Sequence, residues 1–167
     1  EAAKDLPLML VNGYLEGENI YSTLCDDHAA MHHAATRLLK SGRRRILYLY
    51  TSYSFSGVNK MEGYKDAHRD LGLPLDESLI CQCAKDISVA RDTLLGLHEQ
   101  GLEFDAVITS DDSLAVGAVK YAHEAGISIP DQLSVIGYNN SLLSRCTDPE
   151  ITSIDSKVEA LCTTTIN

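Results

Sequence analysis

Four apolar segments of this chain are each followed at once by polar side chains of complementary type. Asn12 follows LPLMLV; Ser54, Ser56 and Lys60 follow ILYLY; Asp111 and Asp112 follow AVIT; Asn139 and Asn140 follow LSVIGY. Carboxylate, amide, hydroxyl and ammonium groups together supply the donors and acceptors that a polyol or a nucleobase requires. Tyr53 and Phe55, set among the serines, add apolar faces on which a sugar ring can stack. If the four segments are parallel strands of one sheet, the groups share the carboxyl edge, where open α/β sheets bind small molecules. Each residue also has a plainer role open to it. Asp111 or Asp112 suits the N-cap of a following helix. Asn139 and Asn140 suit a tight turn, and Lys60 suits a solvated surface. The coincidence of all four sites on one edge carries the binding reading; no single residue does.

Other chemistry finds less support. His28 and His32 have the i, i+4 spacing of a helical metal pair, but no third ligand accompanies them. TSDDS resembles the acid pair of phosphoryl-transfer proteins, yet the chain has neither G-x-x-x-x-G-K-[ST] nor G-x-G-x-x-G. The remaining histidines form no triad with a serine in an elbow motif. The chain therefore reads as a non-enzyme with no cofactor and no metal. Its five cysteines (Cys25, Cys81, Cys83, Cys146, Cys162) are odd in number and scattered, which fits reduced thiols in the cytoplasm. A net charge of −10, with Arg43-Arg44-Arg45 as the longest basic run, argues against a duplex-binding surface on this chain. No apolar run approaches the roughly 20 residues of a membrane span.

The elements that must position these groups follow a repeated phrase: amphipathic segment, glycine, a few polar residues, apolar strand. It recurs as RLLKSGRRRILYLY, AHRDLGLPLDESLICQC, LHEQGLEFDAVITS and AHEAGISIPDQLSVIGY, with Gly42, Gly72, Gly101 and Gly126 where helices end. Strands are expected at 6–11, 46–50, 79–83, 106–109, 133–137 and 151–154, and helices at 28–40, 57–71, 87–100 and after Asp112. Asp26 or Asp27 is the expected N-cap of the first helix. Nearly all-apolar strands alternating with helices mean a parallel α/β sheet covered on both faces, with LGLPLDESL and TDPEITSI as crossings between two lobes. The chain opens without Met and closes inside a helix begun near Ser156, so both ends are expected to be cut.

The stretch DAVITSDDSLAVGAVKYAHEAGISIPDQLSVIGYNNSLLSRCTDPEITSI resembles the C-terminal lobe of the lactose-repressor and galactose-repressor family of bacterial transcription regulators. The acidic turn, the A-x-G-A helix, the P-x-D-x-S-V-x-G-Y strand and the P-x-x-T return carry the likeness. DLPLMLVNG, CDDHAAMHHAATRLLKSGRRRILYL and the K-x-x-G-Y helix start at Lys60–Tyr64 continue it upstream. The resemblance implies a two-lobe, periplasmic-binding-protein-like (type I) α/β fold with an incomplete first lobe. Residues 1–77 would be the partial first lobe, 78–150 the second lobe, and 151–167 the return strand and the start of a first-lobe helix. It implies a cytoplasmic homodimer that senses a small sugar or related metabolite and reaches DNA through a helix-turn-helix absent from this chain. The ligand would meet Asn12, Tyr53, Ser54, Phe55, Ser56, Lys60, Asp111 and Asn139. Four of these depart from the family's usual types, since it favours Asp at 12, Arg at 60, Asn or Ser at 111 and Asp at 139. The change to Lys60 removes a planar bidentate fork. Val116 and the surface near Leu142 to Thr147 would lie toward the partner. An extracytoplasmic solute-binding protein of the same fold is the alternative reading.

Overall fold

The computed structural model describes residues 6–166. Two parallel sheets are present. A small one pairs β1 (Leu8–Val11) with β2 (Ile20–Thr23), and a five-stranded one has the order β4-β3-β5-β6-β7. In the larger sheet β3 is Ile46–Tyr50, β4 Ile80–Gln82, β5 Ala106–Thr109, β6 Ser134–Tyr138 and β7 Thr152–Ile154. The helices are α1 (Asp27–Lys40), α2 (Phe55–Asp70), α3 (Ile87–Glu99), α4 (Asp112–Glu124) and α5 (Val158–Ile166). The expected elements are all present within a few residues. The strand β2 was not foreseen, because only residues 12–19 link it to β1 and no helical crossover announces a parallel partner.

The larger sheet is sandwiched as its strand composition requires. Along β3, Ile46, Tyr48 and Tyr50 face α1 and α2, while Leu47 and Leu49 face α3 and α4, and all five are buried. The four glycines that follow helices all have positive φ. Two others matter through contact. A Cβ on Gly63 would lie 2.3 Å from the His28 carbonyl oxygen, so its absence lets α1 and α2 approach closely. At Gly117 a Cβ would lie 2.5 Å from that of Ala90, which does the same for α3 and α4.

This topology corrects the expected lobe boundary at residue 77. Strand β3, assigned to the first lobe, pairs directly with both β4 and β5, and β7, assigned to the return, pairs with β6. Residues 27–154 thus form one layered unit, and β1, β2 and α5 pack together as another. The chain crosses between the units near Cys25 and Ser156, where the Cys25 thiol donates to the Ser156 carbonyl at 3.0 Å. LGLPLDESL, read as an interlobe crossing, instead joins α2 to the neighbouring edge strand β4. Turn-rich composition marks a connection but not how far it travels.

The basic triplet is consumed inside the fold. Arg43 donates to the carbonyls of Pro130, Asp131 and Gln132, Asp105 accepts from the backbone N–H groups of Arg44 and Arg45, and Arg45 pairs with Asp76. Val116 packs in the core between α3 and α4 at 7% exposure, whereas Leu142 is 77% exposed.

Candidate functional site

The carboxyl edge of the five-stranded sheet gathers three of the expected polar residues. Strand β5 ends in Thr109 and hands over to Ser110 and Asp111, and Asp111 is the N-cap of α4. Its Oδ1 accepts from the backbone N–H and hydroxyl of Ser113 at 2.9 and 2.6 Å. Its Oδ2 accepts from Asn139 Nδ2 at 3.0 Å and from Lys85 Nζ at 2.7 Å. The plainer reading of Asp111 as a helix cap holds through Oδ1, while Oδ2 ties the cap to Asn139 and Lys85. Asn139, at the end of β6, takes φ 97°, a conformation that Asn tolerates better than most residues, and its N–H bonds the Ile154 carbonyl at 2.8 Å.

Lys60 reaches this edge from the second turn of α2. It is buried, with Nζ 3.4 Å from the Ser110 carbonyl, 3.9 Å from Asp27 Oδ1 and 3.7 Å from the centre of the Tyr138 ring. The Tyr138 hydroxyl in turn donates to Asp27 Oδ1 at 2.5 Å. Among the described residues the buried Ser110 hydroxyl has no hydrogen-bond partner.

The other expected residues lie around this floor. Tyr53, 64% exposed, bonds the Tyr50 hydroxyl. Ser54 caps α2 by accepting from the Gly57 N–H at 3.1 Å, and Ser56 lies half-buried on the first turn. Phe55 stacks on Tyr14 at 4.7 Å, linking the turn after β1 to the start of α2. Asn12 follows β1 of the smaller sheet with φ 53°, and its N–H bonds the Thr23 carbonyl. Polar floor and aromatic rim are thus distinct, with Asn12 on the opposite unit. Asp27, Lys85 and Tyr138 were not foreseen. The doublet Asp26-Asp27 held a signal for one of them: Asp26 caps α1, so Asp27 is free for another task. Lys85 follows β4 on the same carboxyl edge, and the strand-end rule applied to β4 finds it.

Burial lowers the Lys60 pKa, against the opposing pull of Asp27 and Asp111. Burial and the bond to Asp27 raise that of Tyr138. Burial pushes the Asp111 carboxyl up, but hydrogen bonds from Lys85 and Ser113 outweigh it and hold the group below the usual carboxylate range. A carboxylate depressed on folding contributes stability above its unfolded pKa, about 3.9, and loses it as pH falls through the folded value. Asp111→Asn is therefore expected to flatten part of the fall in thermal midpoint below about pH 4, read by calorimetry against the parent chain. Identical acid profiles would show that Asp111 contributes no such term.

The paired histidines are engaged in contacts between helices. His28 and His32 bond Asp66 and Asp70 at 3.0 and 3.1 Å, so one i, i+4 pair on α1 meets another on α2. Among the described residues no group of three His, Cys, Asp or Glu side chains is placed to hold a metal. Burial pushes the Cys83 thiol up to about 11. None of the described helices is long and apolar enough to cross a membrane.

Residues 35–167 match the profile of the periplasmic binding protein-like domain. The chain belongs to that family. Within it the similar proteins are lactose-repressor and galactose-repressor regulators, as the sequence resemblance implied. A helix-turn-helix-type transcriptional regulator of Lachnoclostridium phytofermentans is 50% identical over 167 residues, covering 100% of this chain and 50% of that protein. The regulator AscG of Escherichia coli K12 is 31% identical over 91% of this chain and 46% of its own length. A sugar-binding LacI-family regulator from Escherichia coli, solved with phosphate, superposes with a TM-score of 0.88 at 30% identity, over 96% of this chain and 58% of that one. The chain thus spans about half the length of the curated relatives it matches.

Proposed function

We propose that this chain is the effector-sensing core of a bacterial DNA-binding transcription regulator, in which a small sugar or related polar metabolite binds between the lobes. The observation that carries the reading is the convergence of Lys60, Asp111 and Asn139, from three different segments, on one carboxyl edge. Tyr53, Ser54, Phe55 and Ser56 form the rim, and Asn12 approaches from the smaller unit. Binding changes the angle between units joined at Cys25 and Ser156, and the energy for that change is the ligand's differential affinity for the two arrangements. The response is passed to DNA through a helix-turn-helix outside these residues, in a cytoplasmic homodimer whose contact includes the exposed Leu142. The relatives' names, all of transcription regulators, support this reading over a solute receptor and over an enzyme.

The test is Lys60→Ala and Asn139→Ala in the full-length regulator. Each is expected to abolish the effector response in an operator-binding assay while the circular dichroism spectrum and melting cooperativity stay intact. Ligand affinity should fall at least about tenfold, the equivalent of one charge-assisted hydrogen bond. A normal response in both variants would sink the site assignment.

A further inference from the structure

We propose that Asp27 is the positioning residue of the crevice: it orients Lys60 and Tyr138 and ties both to the segments on which the chain crosses between the units. The inference rests on the crevice reading above and adds the residue through which crevice geometry depends on the crossings. Asp27 opens α1 and is separated only by Asp26 from Cys25, where the chain passes from the smaller unit to the larger. Its carboxylate is buried although the helix does not need it, since the N-cap bond to the Ala29 N–H comes from Asp26. Asp27 Oδ1 instead accepts from the Tyr138 hydroxyl at 2.5 Å and stands 3.9 Å from Lys60 Nζ, which itself lies over the Tyr138 ring. A buried carboxylate so placed holds the ammonium where it is, because moving away leaves two charges unpaired out of water.

Contacts run from this cluster to both crossings. Tyr138 ends β6 and is followed by Asn139, whose N–H bonds the Ile154 carbonyl at 2.8 Å, while the Asn140 N–H bonds the Ser153 hydroxyl at 2.9 Å. Strand β7 ends at Ile154, and the chain leaves for the smaller unit at Ser156, whose carbonyl accepts from the Cys25 thiol at 3.0 Å. The path closes on itself, from the first crossing through Asp27, Tyr138 and Asn139 to the second. Cys25 lies in the field of the same charges: burial and Asp27 raise its thiol pKa, and Lys60 lowers it. A shift of either crossing therefore reaches Lys60 and Asn139 as a change in short contacts, and Asp27 is where the path meets Lys60.

The test uses the full-length regulator without ligand, which keeps it apart from the effector response of Lys60→Ala and Asn139→Ala. Asp27→Asn leaves an oxygen to accept from Tyr138 and removes the charge. The Lys60 ammonium is followed by NMR with isotope-labelled lysine and identified by its loss in Lys60→Arg. It is expected to titrate at lower pH in Asp27→Asn than in the parent, because burial lowers its pKa and Asp27 opposes that effect. A role in helix packing alone would not move it. The Asn139 amide should exchange its hydrogen at least about tenfold faster, while amides within α3 keep their parent rates. Tyr138→Phe keeps the ring beneath the ammonium and removes only the hydroxyl bond to Asp27. It should speed the Asn139 amide in the same way, and it carries the test where Asp27→Asn does not fold. An unchanged Lys60 titration in Asp27→Asn overturns the positioning role, and an Asn139 amide at its parent rate overturns the tie to the crossings. Both shifts, found beside a normal effector response in Lys60→Ala and Asn139→Ala, uphold the arrangement around Asp27 and remove the crevice reading alone.

Discussion

Asp112→Ala is expected to destabilise the chain by about 3 kcal/mol, measured by urea unfolding, because its buried carboxylate is bonded by groups of the chain itself. The carboxylate is 1% exposed. Its Oδ2 accepts from the Ser141 backbone N–H at 2.7 Å and the Ser141 hydroxyl at 2.8 Å, and its Oδ1 from the Ser153 hydroxyl at 2.6 Å. One side chain therefore ties the start of α4 to the turn after β6 and to edge strand β7. The two hydroxyls can turn elsewhere when the carboxylate is gone, but the Ser141 N–H cannot, and a charge-assisted bond contributes roughly 1.5–3 kcal/mol. The acidic group on the first turn of α4 adds a favourable interaction with the helix dipole that alanine also loses, about 0.5 kcal/mol. Gly137 belongs to the same arrangement, since a Cβ there would lie 2.3 Å from Asp112 Oδ1. A loss below about 1 kcal/mol would mean that the staple is dispensable.

Gly63→Ala is expected to cost about 2 kcal/mol in the same assay, even though alanine is the better helix former by about 1 kcal/mol. The obstacle is backbone: the added methyl would sit 2.3 Å from the His28 carbonyl oxygen and 3.1 Å from the His32 nitrogen, so α1 and α2 must separate. Gly96 in α3 supplies the control. There the nearest neighbour of a Cβ is the end of the flexible Gln100 side chain at 3.9 Å, so Gly96→Ala should stabilise by up to about 1 kcal/mol. One chemical change with opposite signs at two helix positions separates packing from propensity. Equal effects at both would refute the close-approach argument.

Much of the scaffold was legible because local rules and tertiary structure agree. The run ILYLY has no polar position and could only be a strand covered on both faces. Each of Gly42, Gly72, Gly101 and Gly126 ends its helix with positive φ, in keeping with its place in the repeated phrase. Strand β2 escaped because IYST lies between polar residues, pairs only with β1 and is half exposed, so its apolar pattern is weak. The lobe boundary escaped for a different reason. Periodicity reports which faces are apolar and not which strand lies beside which, and residues 46–50 look the same in either sheet.

At the candidate site the division is sharper. Residue order alone dictates the strand ends, and with them the fact that Lys60, Asp111 and Asn139 sit on one edge, because parallel strands bring all their carboxyl ends to the same side. Family membership is likewise written in motifs that run nearly the length of the chain. The partners those groups take depend on how the elements pack. Asp27 is 33 residues from Lys60 in the sequence and 111 from Tyr138, yet all three meet, and Lys85 reaches Asp111 from the end of β4, across the intervening β3. Pairing of buried charges is fixed by distances of a few ångströms between side chains on different elements. No local pattern encodes those distances, since the same residues at the same strand ends could as well have stood unpaired.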